Sequence, residues 1–190
     1  MICFDTTFSD DENKMLKAMK GRVLLAEGHV PISGNIAFGR LRLYFKEGDV
    51  DITADMRGVD YVGDGTSDDD EAFLGVEPAA GAIEAVTEID GVELRTEYGK
   101  VVQRVLVAQD LIDSYEDGEL TFKMVFPQAI VFDLGDEYVC IDKQGGPWAM
   151  MTVKRGDDLG ELVYDCSEGW ADTDEAPELH NVFKQELIEL

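Results

Sequence analysis

The sequence is poor in the residues that carry most enzyme chemistry and most anion binding. Its 190 residues hold 3 Cys, 2 His and 16 Lys plus Arg against 41 Asp plus Glu, for a formal net charge of −25 near neutral pH. Cys3, Cys140 and Cys166 are too sparse for a disulfide scaffold and too widely spread for a zinc motif. The pattern implies a reducing, cytoplasmic compartment. Nucleophilic catalysis needs a base beside Ser or Cys, and only His29, read as a turn residue before Pro31, and His180 could serve. No Gly-x-Ser-x-Gly occurs, Cys140 lies in a strand pattern that suits a buried thiol, and the carboxylates around Cys166 would oppose a thiolate. Gly63-Asp64-Gly65 opens like a dinucleotide motif but lacks the third glycine, and Asp68 to Glu71 would repel a pyrophosphate. Neither a cofactor nor an enzyme activity is expected.

Long apolar runs are missing as well. Val105 to Ala108 and Ala129 to Phe132 fall far short of the ~20 residues that cross a bilayer. The first residues run from Met1 into Ser9, Asp10, Asp11 and Glu12 without the basic-then-apolar order of a secretory signal. Nucleic acid backbones and anionic membranes are polyanions that must be met with Lys and Arg. The expectation is a soluble chain with no membrane contact and no direct nucleic acid binding.

What is present is an ample apolar fraction, 45%, in a chain long enough to hide about 70% of its unfolded surface. No linker rich in Pro, Gly or Ser divides it, so residues 1–190 read as a single domain. Ile2, Phe4, Thr6 and Phe8 alternate as a strand. Ser9 three residues before Glu12 is a capping box, and Met15, Leu16 and Met19 follow at helical spacing, predicting a helix over 10–20 with Lys14, Lys17 and Lys20 on its polar side. Beyond Arg22 short apolar segments alternate with Gly-containing turns, the pattern of hairpins. Two are distinct: Ile36 to Phe45 turning at Glu47-Gly48-Asp49 into Val50 to Ala54, and Ile130 to Phe132 turning at Leu134-Gly135-Asp136 into Tyr138 to Ile141. Their similarity raises an internal duplication of 36–56 and 129–142. Asp49, Asp51 and Asp55 on the first hairpin read as the solvent side of an edge strand. Further strands are predicted near 83–89, 92–98, 101–108, 119–126 and 148–154, with a long loop over 63–71. Leu179, Val182, Phe183, Leu187 and Leu190 recur at three and four residues, as on an amphipathic helix. The fold class is therefore α+β: predominantly antiparallel sheet in hairpins and meander, about eight to ten strands, with an N-terminal and a C-terminal helix packed on it.

The acid is segregated. Between Arg57 and Arg95 there is no Lys or Arg but eleven carboxylates, and between Arg155 and Lys184 there is none but nine more, so two segments carry twenty of the negative charges. Three explanations compete. General solubility would spread acid over the whole surface and remove lysine, yet nine lysines remain. A calcium loop would need a fixed ligand rhythm with a glycine at its bend, which Asp64-Gly65-Thr66-Ser67-Asp68-Asp69-Asp70-Glu71 lacks. A surface built to meet a basic protein partner fits best, because acidic fields speed association and select positive ligands. The expected contact residues are Asp64, Asp68, Asp69, Asp70 and Glu71 in the first segment, with Asp165, Glu168, Asp172, Asp174 and Glu175 in the second. Trp170, an aromatic among carboxylates, is the expected anchor for an Arg-rich or Lys-rich partner, while Trp148 reads as a core residue. Immunity proteins for toxic nucleases and acidic nucleic-acid mimics work on this logic. Two other classes stay open: a site of clustered carboxylates doing metal-dependent or enzyme chemistry, and an assembly subunit whose acidity serves solubility alone.

Overall fold

The structure, a computed structural model, describes residues 1–33, 35–60, 65, 69–81, 93–143, 149–165, 167 and 179–190. Among the described residues eleven strands make one branched sheet: β1 (Ile2–Asp5), β2 (Val23–Ser33), β3 (Ile36–Phe45), β4 (Val50–Val59), β5 (Asp69–Pro78), β6 (Leu94–Val101), β7 (Arg104–Glu116), β8 (Glu119–Asp133), β9 (Tyr138–Lys143), β10 (Met150–Gly156) and β11 (Leu179–Glu189). The helices α1 (Asp10–Met19) and α2 (Leu159–Leu162) complete it. The main path runs β11-β7-β8-β9-β10-β3-β2-β6. Two branches leave it: β1 lies parallel on β8, and β4 pairs with both β3 and β5. The other pairings are antiparallel, as the hairpin pattern predicts. Neither helix is long and apolar enough to cross a membrane.

The N-terminal helix forms where the capping box places it. Ser9 Oγ accepts from the Glu12 amide, and Glu12 Oε2 accepts in return from the Ser9 amide at 2.8 Å. Glu12 also reaches the sheet, where its Oε1 accepts from the Val76 amide on β5 at 3.1 Å. Leu16 and Met19 are fully buried against the sheet, each worth roughly 1.5–3 kcal/mol of apolar burial. Between β7 and β8, Asp117 (φ 50) and Gly118 (φ 83) both take the left-handed region. A two-residue hairpin with its right-handed twist requires that conformation, and Asp-Gly supplies it at least cost.

One large core gathers Leu41, Leu43, Ile52, Ile130, Phe132, Ile141 and Met151 from β3, β4, β8, β9 and β10 under α1. Alternation puts the intervening residues of β7, β8 and β9 (Leu106, Ala108, Ala129, Val131, Cys140) on the other face, where Leu162 of α2 covers them. A third cluster joins Val59 and Phe73 of the β4–β5 hairpin to Ile112, Phe122, Met124 and Phe126, with Ile2, Phe4 and Phe183 packed against it.

Several expectations are corrected. The C-terminal helix is absent: residues 179–189 form β11, antiparallel to β7 from Leu179 opposite Glu116 to Glu189 opposite Leu106. A spacing of three and four fits either period over so short a stretch, and the bare edge of a thirteen-residue β7 leaves backbone groups that a strand satisfies and a helix does not. Pro127 does not end a strand, since β8 continues through it as fifteen residues. Ala129 faces Ala108 while Pro127 faces Gln109, which makes Gln128 the extra residue of a bulge, one of the few sheet positions that tolerates a missing N–H. Asp51 is fully buried on β4, which has neighbours on both sides and is no edge. Its carboxylate takes a bidentate pair from Arg42 at 2.7 and 2.9 Å. His29 lies within β2 and not in a turn, and is buried. His180 stands on β11 beside the ring of Tyr115. The predicted loop over 63–71 yields at its end, where Asp69–Glu71 open β5. The strand expected at 83–89 and residues Trp148 and Cys166 fall outside the described residues.

Candidate binding site

The first acidic segment is anchored by the β4–β5 hairpin. Asp69 stands opposite Val59, Asp70 opposite Gly58 and Glu71 opposite Arg57. Asp70 is exposed and Glu71 half-buried, on a strand whose one partner among the described residues is β4. The cations of this region stack on rings: the Arg57 guanidinium lies 5.8 Å from the Phe73 centroid, and Lys143 Nζ lies 4.3 Å from that of Phe126 and 5.4 Å from that of Phe73. Such contacts hold a cation near the aromatic core while leaving exposed carboxylates to the solvent. Asp64 and Asp68 lie outside the described residues.

The second segment is tied down by polar contacts that the sequence did not reveal. Asp142, 1% exposed, accepts from Lys154 Nζ at 2.7 Å, Gln128 Nε2 at 2.7 Å and the Tyr164 amide at 2.8 Å. The bulge at Gln128 is what aims that amide at Asp142, and the same Nε2 also donates to the Lys143 carbonyl. Burial pushes the Asp142 carboxyl above its usual range, and Lys154, Gln128 and the Tyr164 amide offset only part of that rise. Burial likewise holds the neighbouring Cys140 thiol well above the ordinary range, so it is an inert core group. Lys154 also donates to the Leu162 carbonyl at 2.9 Å, closing α2 onto the sheet. From the far side Gln185 Nε2 of β11 donates to the Tyr164 carbonyl at 3.1 Å and to buried Asp110 at 2.9 Å.

Residues 159–165 thus form a strap between β9 and β11, with Asp165 at its end. Asp165 is exposed, its Oδ1 accepts from the Ser167 amide at 2.9 Å, and hydrogen bonds from the Ser167 side chain and then its amide hold the carboxyl below its usual range. Under the strap lies a cavity of about 330 Å³ lined by Leu159, Val163, Asp165, Phe183, Gln185 and Leu187 among others. Among the expected contact residues of this segment, Glu168, Trp170, Asp172, Asp174 and Glu175 lie outside the described residues. The apolar lining was not predictable before β11 was known to be a strand, because only that pairing brings 183–187 beside 159–165.

Elsewhere the scarce bases are committed within the fold. At least ten of the sixteen Lys and Arg side chains lie within 4.0 Å of a carboxylate: Lys14, Lys20, Arg40, Arg42, Arg95, Lys100, Arg104, Lys123, Lys154 and Lys184. A separate polar group is buried in β2, where His29 Nδ1 lies 3.2 Å from Glu27 Oε2, both side chains 4% exposed. Among the described residues neither His29 Nε2 nor the Tyr98 hydroxyl has a hydrogen-bond partner. The spacing of Glu27 and His29, two residues apart on one strand face, was the signal for this pair, and the Pro31 turn reading concealed it. Among the described residues no three His, Cys, Asp or Glu gather as metal ligands. Comparison with models of protein families, with curated proteins and with solved structures gives no match in any of the three.

Proposed function

We propose that the protein is an acidic binding protein that engages and neutralises a basic protein partner, as an immunity protein or a nucleic-acid mimic does. The supporting observation is the charge itself: all sixteen bases together leave a surplus of −25, and at least ten of them already lie within 4.0 Å of a carboxylate of the chain, so the surplus acts outward. A nuclease or other polyanion-binding protein carries a cationic site, and a surface of spaced carboxylates competes for it. Association should be fast and strongly salt-dependent, because the Debye length falls from ~10 Å at 0.1 M salt to ~3 Å at 1 M.

The test is immobilisation of the full chain and capture from native lysate at low salt and at ~0.5 M salt. Recovery of a discrete basic protein that elutes with salt, followed by inhibition of that protein's own activity by the purified chain, supports the reading. Recovery of no basic protein at low salt, or of one whose activity is untouched, overturns it.

A further inference from the structure

We infer that the cavity beneath the 159–165 strap is a receptor for one arginine side chain of the basic partner, presented by an extended segment lying along β11; this rests on the reading just proposed. Its walls and its charge both select that occupant. Leu159, Val163, Phe183 and Leu187 supply an apolar lining suited to the methylene stem of a long cation. Asp165 supplies the anion: its carboxylate accepts from the Ser167 side chain and amide, and two carboxylate oxygens offer about four acceptor sites, enough for a guanidinium as well. Gln185 has given its amide hydrogens to Asp110 and to the Tyr164 carbonyl, so its Oε1 is a second acceptor. Among the described residues no Lys or Arg lines the cavity. A planar guanidinium with several donors uses two acceptors better than an ammonium does. At about 330 Å³ the space has room for an arginine side chain.

The strand beside it fits an extended ligand. Among the described residues β11 has β7 as its one strand partner, and Val182 and Leu187 are 46% and 48% exposed on it. Addition of a strand to a sheet edge, with alternate side chains entering pockets, is an established mode of peptide recognition. The polar ties of the strap to Asp142 and Gln185 hold the cavity open before any ligand arrives, so little ordering is needed on binding.

The probes are the peptide acetyl-Thr-Val-Arg-Val-Thr-amide, its counterpart with citrulline in place of arginine, and hexalysine, each titrated at low salt into the 15N-labelled full chain and followed by amide NMR. The arginine peptide should move the amides of Leu159, Val163 and Leu187, and the citrulline peptide should bind about fivefold more weakly, the upper end for an exposed ion pair. Asp165→Asn, at an exposed position, should remove the same factor. Equal affinity of the two peptides, indifference to Asp165→Asn, or shifts that avoid the cavity would overturn the assignment. Hexalysine binding elsewhere on the chain while the arginine peptide misses the cavity leaves the acidic-surface reading standing without it. If neither probe binds, both readings fall.

Discussion

Asp142→Ala is the most searching single perturbation of this fold. The carboxylate is 1% exposed and accepts three hydrogen bonds, from Lys154, Gln128 and the Tyr164 amide. Truncation leaves a cation and two amide donors facing a void. Removing one partner of a buried pair typically costs 3–5 kcal/mol, but the Lys154 side chain is 30% exposed and can swing toward water, so a cost near the lower bound, about 3 kcal/mol, is expected. At ~2–4 °C per kcal/mol for a chain of this size, Tm should fall by on the order of 10 °C. Urea unfolding at equilibrium measures the loss, and hydrogen exchange locates it: the Tyr164 amide should lose protection while the amides of β3 and β4 keep theirs. The double variant Asp142→Leu with Lys154→Met, which removes charge and counter-charge together, should cost less than Asp142→Ala alone. A loss under ~1 kcal/mol, or a Tyr164 amide that stays protected, would refute the view that this carboxylate holds the strap.

The pH dependence has a definite sign at the same residue. Because the folded pKa of Asp142 is raised, its contribution to stability declines as pH rises from the unfolded value near 4 through the raised folded value, and Asp142→Asn should flatten that decline in urea midpoints taken across the window. Asp136 behaves oppositely: Lys100 Nζ, 3.0 Å from both of its oxygens, holds its carboxyl below the usual range, so its contribution is present above the ordinary value and lost as pH falls through the folded one. Lys100→Met should raise the Asp136 pKa in a carboxyl NMR titration, and an unchanged value would count against the pair. Glu12→Ala removes the acceptor for the Ser9 and Val76 amides and should destabilise by about 1–2 kcal/mol, whereas Glu12→Gln, which keeps an acceptor oxygen, should cost less; calorimetry distinguishes them. Raising salt from ~0.02 to ~0.5 M should raise Tm by screening the self-repulsion of a strongly acidic chain, and a falling Tm would show that the internal ion pairs outweigh it.

Local signals were legible and tertiary ones were not. The capping box at Ser9 and Glu12, the Glu47-Gly48-Asp49 turn and the alternation of Leu41, Leu43 and Phe45 each act within a few residues, and each appears where it was read. The failures share one cause: the deciding partner lies far away in sequence. β11 is a strand because β7 offers an edge more than sixty residues earlier. Asp51 is buried because β5 covers β4 and Arg42 answers its charge, while charge patterning alone assigns any carboxylate to the solvent. His29 was displaced by the weight given to Pro31, which the sheet accommodates amid register irregularities in β2. Of the proposed contact residues, Asp70 and Asp165 are exposed; the apolar cavity beside Asp165 had no sequence signature because its walls come from two segments joined only by the fold.

The parallel pairing of β1 with β8 sets a schedule for assembly. Ile2 lies opposite Phe122 and Asp5 opposite Val125, so β1 has its partner about 120 residues downstream, a loop whose closure costs about 4 kcal/mol in chain entropy before its constant term. At 5–20 residues per second the interval on a ribosome is on the order of 10 s. During it Ile2 and Phe4 have no sheet to join, and the hairpin of β7 and β8, closed by a two-residue turn, must come first. The ring of Phe4, 5.4 Å from that of Phe73, also waits for the β4–β5 hairpin to dock. β1 is therefore a late latch: its loss should leave most of the sheet formed and raise the unfolding rate more than it slows folding.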